Sequence, residues 1–305
     1  MISGTKITIE VLDKSYQINT DFSFSLAIPL EFTNRVDEIG LDEIEMVNQP
    51  NHFNAKLASS SSMQDGSFIG DTEQGGSCNV NELSINPHCN GTHTETIAHI
   101  CDISNELSLK ISDLSIPPLM PCVLISIAPV SVKPITANCS SINHLDSYTP
   151  QLNNGDKIIC RVDLEQQLAD YTQAQLQCLV VRTLPNAQNK CSQIYSQNCQ
   201  PAFFTREAIL YLNERGVEHL VVDIPSLDRL HDNGLLTCHH LFWQVNEGTH
   251  QPSPNSLVNK TITEMAFIEN QIVDGFYFIN LQTPAFANDA APSRPVLFNS
   301  QLVGR

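Results

Sequence analysis

Apolar and polar positions alternate over residues 7–12 and again over residues 22–28, and both stretches are rich in β-branched or aromatic side chains. That is the pattern of paired strands, with a turn over residues 13–16. Residues 122–128 and 177–184 are instead almost continuously apolar and of strand length, as expected of strands buried on both faces. Helical spacing appears at residues 163–171. It is clearer at residues 205–216, where Thr205 is placed to cap, residues 208, 209 and 212 form an apolar stripe, and Gly216 suits the position after the last turn. A further strand is predicted over residues 219–223. Residues 49–77 are rich in Asn, Ser, Gln, Asp and Gly, with four serines in a row at 59–62, and read as a long loop at the mouth of a pocket. No repeat and no linker divides the chain, so residues 1–305 are expected to form one α/β or α+β domain with strands at both ends.

Composition narrows the function. Hydrophobic residues make up 41% of the 305 and charged residues 16%, enough for a sizeable core. Lys and Arg number 16 against 33 Asp and Glu, a net charge of −17 that argues against nucleic-acid or anionic-membrane partners and leaves a small-molecule substrate. Residues 1–17 carry Lys6, Glu10, Asp13 and Lys14 among their apolar positions, which breaks the apolar core a secretory signal needs, and a cytoplasmic location is expected. The ten cysteines show no CxxC spacing and read as reduced, mostly buried small hydrophobes.

The chemistry concentrates in residues 87–99, where three histidines, a cysteine and a glutamate fall within thirteen positions. In an extended chain Cys89, Gly91, His93 and Glu95 share one face and His88 points to the other, unless a bulge at Asn90 turns His88 inward. Imidazole, thiolate and carboxylate together suit zinc, with manganese or iron favoured if the cysteine does not bind. Cys89 with His99 is also a possible nucleophilic pair. Serine-hydrolase elbows, dinucleotide turns and phosphate-binding loops are absent from the sequence.

The segment resembles the signature of the cyclase family of metal-dependent hydrolases, which includes bacterial kynurenine formamidase and isatin hydrolase: His-x-Gly-Thr-His-x-Asp-x-Pro-x-His. Gly91, Thr92, His93 and His99 match in register, while Cys89 stands at the first His, Glu95 at the Asp and Ile97 at the Pro. Residues 205–216 and 222–228 look like the family's helix and its Asp-Thr-Pro-Ser-x-Asp turn. Residues 239–243 and 267–270 look like segments that supply a further His and Glu ligand, and residues 289–296 like its closing strand.

The resemblance implies a swivelling β/β/α domain with a mixed central sheet flanked by helices, assembled as a homodimer or homotetramer. It implies a divalent metal, zinc or manganese, on Cys89, His93, Glu95, His239 and Glu269, with His88 as the alternative to Cys89 and His240 to His239. Glu269 also follows an apolar run in which an unpaired carboxylate would be costly, so a metal or an arginine partner is expected there. His99 would act as general base and then acid, and Asp223, Ser226 and Arg294 would meet the substrate. The expected reaction is hydrolysis of a non-peptide C–N bond (amide or formamide) or of a small lactam or lactone ring by metal-activated water. The competing expectations are a non-catalytic binding protein that has lost its metal and an enzyme dependent on Cys89.

Overall fold

The computed structural model describes residues 5–32, 49–102, 109–133 and 146–304. It begins with an antiparallel hairpin of β1 (Lys6–Val11) and β2 (Lys14–Ser25), in which Val11 pairs with Lys14. The turn is tighter than the expected 13–16 because Leu12, with φ 54°, and Asp13 close it alone. The second strand therefore starts earlier, and Tyr16 and Ile18 are buried along it.

The hairpin is one edge of a ten-stranded mixed sheet. Its other strands are β3 (His93–Glu95), β4 (Met120–Ile127), β5 (Cys178–Thr183), β6 (His219–Val222), β7 (Thr261–Glu264), β8 (Gly275–Asn280), β9 (Ala290–Pro292) and β10 (Val296–Gly304). Their spatial order is β1-β2-β10-β8-β4-β5-β6-β7-β3-β9. Only the central four, β4 to β7, are parallel to one another; every other pairing in this sheet is antiparallel.

The apolar runs predicted as buried strands lie in this centre, and their side chains alternate between two cores. Val123, Ile125, Leu179, Val181, Leu220 and Val222 face one core; Cys122, Leu124, Cys178, Val180 and Val221 face the other. Three helices close the first core: α2 (Arg161–Leu168), α3 (Arg206–Glu214) and α4 (Thr237–Trp243). A one-turn helix, α1 (Pro87–Asn90), precedes β3. The α3 helix forms as its sequence predicts. Thr205 Oγ1 accepts from the Ala208 amide at 3.2 Å, Ala208, Ile209 and Leu212 are buried, and Gly216 takes φ 73° after the last turn. The second core is completed by Leu26, Ala266, Ile268 and Leu297.

The polar segment departs from expectation. Ser59–Ser62 forms a strand antiparallel to Asn81–Ser84, and Gln64–Asp65 pairs with Phe68–Ile69. Backbone pairing alone suffices there, since the side chains of Asn81–Ser84 all stay exposed. Nine cysteines are described, all free and seven of them buried; Cys139 lies outside the described residues. Among these residues no helix is long and apolar enough to cross a membrane.

Candidate metal centre

The centre grows out of the register at the far edge of the sheet. Strand β3 runs antiparallel to β7, with Glu264 opposite His93 and Ile262 opposite Glu95, and β9 pairs with its other side. His93 and Glu95, two residues apart, share a face, and a directly opposed partner shares it too. That face is the helix-covered one, because Ile262 belongs to the core beneath the helices. Glu264 ends β7, and the loop after β6 carries Asp228 toward α4, so the group lies at the carboxyl ends of parallel strands, where α/β sheets place their ligands.

Helix α4 brings His239 onto the same spot. His239 Nε2 stands 3.0 Å from Glu95 Oε1 and 3.6 Å from Glu264 Oε1, and His93 Nε2 stands 3.4 Å from Glu264 Oε2. A second set adjoins on the other carboxylate oxygen. His88 Nδ1 is 3.1 Å and His99 Nε2 3.9 Å from Glu95 Oε2, while Asp289 Oδ2 lies 2.8 Å from His88 Nε2 and 3.6 Å from His99 Nδ1. The rings of His88 and His99 stack with centroids 4.3 Å apart. Ligand atoms of His93, Glu95 and Glu264, and of His88, Glu95 and His99, converge closely enough for each trio to hold a metal ion.

The surroundings prepare these atoms for a cation. His93 Nδ1 lies 3.0 Å from the Gly91 carbonyl and His239 Nδ1 2.5 Å from Asp228 Oδ2, so both rings donate outward and turn the lone pair of Nε2 inward. Asp228 is fixed in turn by Tyr148 Oη at 2.8 Å and by the amides of Cys238 and His239. Both Nε2 atoms and both oxygens of Glu95 are buried and meet no group outside the cluster of histidines and carboxylates.

Charge is held there against the cost of burial. Burial opposes ionisation of Glu95, but His99 and His239 overcome it and keep the carboxyl well below its usual range. Burial likewise disfavours a charged His239, yet Glu95 and Asp228 raise it well above an ordinary histidine. His88 is raised to about 10, its burial outweighed by Asp289 and Glu95. Buried carboxylates that draw protons onto neighbouring imidazoles draw a divalent cation for the same reason.

The structure thus unites His93, Glu95, His239 and His99 from the sequence reading, and separates others. Residues 87–90 are helical, not extended: Pro87 takes the first position and Asn86 Oδ1 accepts from the His88 amide at 3.1 Å. Strand parity therefore does not reach Cys89. No bulge forms at Asn90, and His88, not Cys89, stands beside Glu95; Cys89 belongs to neither trio. Glu269 is exposed and accepts from Gln271 Nε2, so its carboxylate needs neither metal nor arginine. The buried glutamate is Glu264.

Asp223 is buried, and its carboxylate is taken up by the Thr183 amide and hydroxyl and by Lys190 Nζ at 2.7 Å. Ser226 Oγ accepts from the Asp228 amide, and Arg294 is exposed. His240 is buried apart from the trios and lowered by burial. Glu264, Asp228 and Asp289 escaped the sequence reading as site residues. The alternation of Thr261–Glu264 before a chain reversal was the available signal for the first.

One consequence is measurable. His88→Ala is expected to weaken zinc binding about 10–100-fold, the usual effect of losing a group that orients or supplements a ligand, while Cys89→Ser changes it less than about twofold. Competitive zinc titration checks both, and the reverse pattern would return Cys89 to the centre.

Comparison with known proteins agrees with this architecture. The family model described as putative cyclase matches residues 21–229. The structure is similar to that of a predicted metal-dependent hydrolase from Bacillus stearothermophilus, with 14% identity, 91% of this chain and 98% of that one covered, and a TM-score of 0.53. Isatin hydrolase A from Labrenzia aggregata, bound to benzyl benzoate, gives 13%, 92% and 94%, and 0.54. A structure described as a novel cyclase gives 16%, 92% and 90%, and 0.56. The mixed sheet flanked by helices is the fold they share. No curated protein matches the sequence significantly.

Proposed function

Because the chain belongs to the putative cyclase family, we propose that it is a metal-dependent hydrolase opening a non-peptide C–N bond, in an amide or formamide, or a small lactam or lactone ring. The observation that carries the reading is the convergence of His93 Nε2, His239 Nε2 and both Glu95 oxygens, all buried and with no partners beyond the histidines and carboxylates of the centre itself. Such atoms are costly to bury unless something positive meets them. His93, Glu95, Glu264 and His239 would hold the ion. With the thiol of Cys89 outside the group, this imidazole–carboxylate set suits manganese as well as zinc. A bound divalent ion supplies Lewis acidity, polarising a carbonyl and bringing the pKa of water toward 7.

The side chains do the rest. Asp228 and the Gly91 carbonyl fix the tautomers of His239 and His93. The side chain of His99 is 25% exposed while that of Glu95 is fully buried, so His99 can exchange protons with both the centre and the entering substrate. It takes a proton from water and returns it to the leaving nitrogen or oxygen, and Asp289 keeps it turned for that task. Asp223 and Ser226, spent on internal hydrogen bonds, shape the loop that delivers Asp228.

A Cys89-dependent reaction is disfavoured, because burial and then the charge of Glu264 raise the Cys89 thiol, whereas a nucleophile needs it lowered. Protein purified without chelators should carry close to one or two equivalents of zinc or manganese by elemental analysis. It should hydrolyse a formanilide or a small lactam, and lose that turnover on chelation. Turnover surviving complete metal removal would overturn the proposal; a metal-free protein that stays inactive with added metal would leave a binding protein.

A further inference from the structure

Helix α4 carries His239 to the centre but has no cap of its own. Leu236, the residue before it, takes φ 45° and has no side chain that can accept a hydrogen bond, so the first amides of the helix need a partner from elsewhere. Asp228 is that partner. Its Oδ1 accepts from the Cys238 amide at 2.7 Å, and its Oδ2 accepts from the His239 amide at 3.1 Å and from His239 Nδ1 at 2.5 Å. One carboxylate thus both caps the helix and orients the histidine that the helix presents.

The remaining donor to Asp228 comes from 80 residues away in sequence. Tyr148 Oη donates to Asp228 Oδ1 at 2.8 Å and accepts from the Arg229 amide at 3.0 Å. A hydroxyl has one proton, and with an amide directed at its oxygen that proton is committed to the carboxylate. The ring is held in place as well. It is buried against Phe203, with centroids 4.7 Å apart, and the Arg229 guanidinium lies 5.4 Å from its centroid, anchored by Asp156 at 3.0 Å. Thr237 Oγ1, at the start of α4, also donates to the Thr149 carbonyl at 2.8 Å, so the segment bearing Tyr148 and the helix bearing His239 are joined twice.

We propose that Tyr148 is a positioning residue of the metal centre: its hydroxyl holds Asp228 in the orientation that caps α4 and turns His239 Nε2 toward the ion. Each oxygen of Asp228 then meets two donors, which fills the lone-pair directions of the carboxylate. A carboxylate so surrounded stays charged and does not rotate. Burial opposes that charge, but His239, the Cys238 amide and Tyr148 hold the carboxyl below its usual range. This role rests on the reading of His239 as a metal ligand, whereas the grip of Tyr148 on Asp228 requires no ion.

Tyr148→Phe removes the hydroxyl and keeps the ring. In the folded variant zinc affinity, read by competitive titration, should fall about tenfold, the lower end of the loss seen when a group that orients a metal-binding histidine is removed. Tyr211→Phe is the control. Tyr211 is buried too, but its hydroxyl accepts from Arg215 Nη1 away from the centre, so its loss should lower the melting temperature and leave zinc affinity unchanged. A Tyr148 variant that melts earlier yet keeps wild-type zinc affinity would reduce Tyr148 to a structural residue and overturn the proposal. A second readout needs no metal: the His239 Nδ1 proton, followed by NMR in the metal-free protein, should move further downfield in Tyr148→Phe, because a carboxylate left with fewer donors pulls harder on each. An unmoved signal counts against the proposal in the same way. If the wild-type protein takes up no zinc, the hydrolytic reading falls and this signal alone decides the part of Tyr148. Should Tyr148→Phe not fold, 3-fluorotyrosine at residue 148 strengthens the donor and keeps the packing; the signal should then move upfield, and one that stays in place overturns the proposal.

Discussion

Glu264→Gln should lower the affinity of the protein for zinc or manganese by more than about 100-fold, because the loss of outer partners alone costs about 10–100-fold at metal sites, and Glu264 faces the ion directly. It stands opposite His93 across the β3–β7 pair, with one oxygen 3.4 Å from His93 Nε2 and the other 3.6 Å from His239 Nε2. Burial and the neighbouring charge of Glu95 oppose its ionisation, yet its contacts with His239 and His93 keep its carboxyl below the usual range. Glutamine preserves the shape and still accepts from the Leu227 amide, which Glu264 Oε1 does at 3.1 Å, so the loop after β6 keeps its anchor. What is lost is the negative charge. Glu269→Gln, by contrast, alters an exposed side chain whose partner is Gln271, and should leave metal affinity unchanged. Calorimetric titration with zinc, beside thermal melts that confirm folding, compares the two. Retention of metal by the Glu264 variant together with its loss in the Glu269 variant would reverse the assignment.

The contrast between those two glutamates shows how far sequence reaches. The central strands were legible because a strand buried on both faces must be apolar throughout, as residues 122–125 and 178–181 are. Helix α3 was legible because Thr205 and Gly216 mark its ends. His93 and Glu95 were legible because strand parity operates over the three residues that are in fact extended. Parity does not extend back to Cys89, because a helical turn intervenes, announced by Asn86-Pro87, a capping residue followed by the proline favoured at a first helical position.

Glu264 and Asp289 were not legible for another reason. Each is brought to the site by antiparallel register with β3 or by the turn into β9, and no local pattern records which distant residues will face each other across a ladder. The resemblance implies Glu269, and the apolar run before it predicts a buried carboxylate, but β7 ends at Glu264 and the chain has turned to the surface by residue 269. The same limit applies to Asp228, whose side chain reads as a turn former in sequence and becomes a buried acceptor only once α4 folds over it.

His99→Ala should lower kcat on the order of 10²–10⁴-fold, the usual loss for a positioned proton-transfer group, while metal content stays at the wild-type level. His99 differs from the other histidines of the centre in three respects. Its side chain is 25% exposed, whereas that of His239 is 1% exposed and His93 is fully buried. Its nearest approach to Glu95 is 3.9 Å, longer than the 3.0–3.1 Å made by His239 and His88. It also ends a one-turn helix, Ile97–His99, outside the paired strand, where it stacks on His88 and faces Asp289. A ring placed so, near the ion-holding oxygens but open to solvent, is suited to carry a proton between them. Its removal leaves His93, Glu95, Glu264 and His239 in place, so the ion should remain. Added imidazole should restore part of the lost rate, since a small base can enter the vacated space. Loss of metal from the variant, with no rescue by imidazole, would instead make His99 a ligand of the second trio, and the proton would then have to be moved by His88 or Asp289.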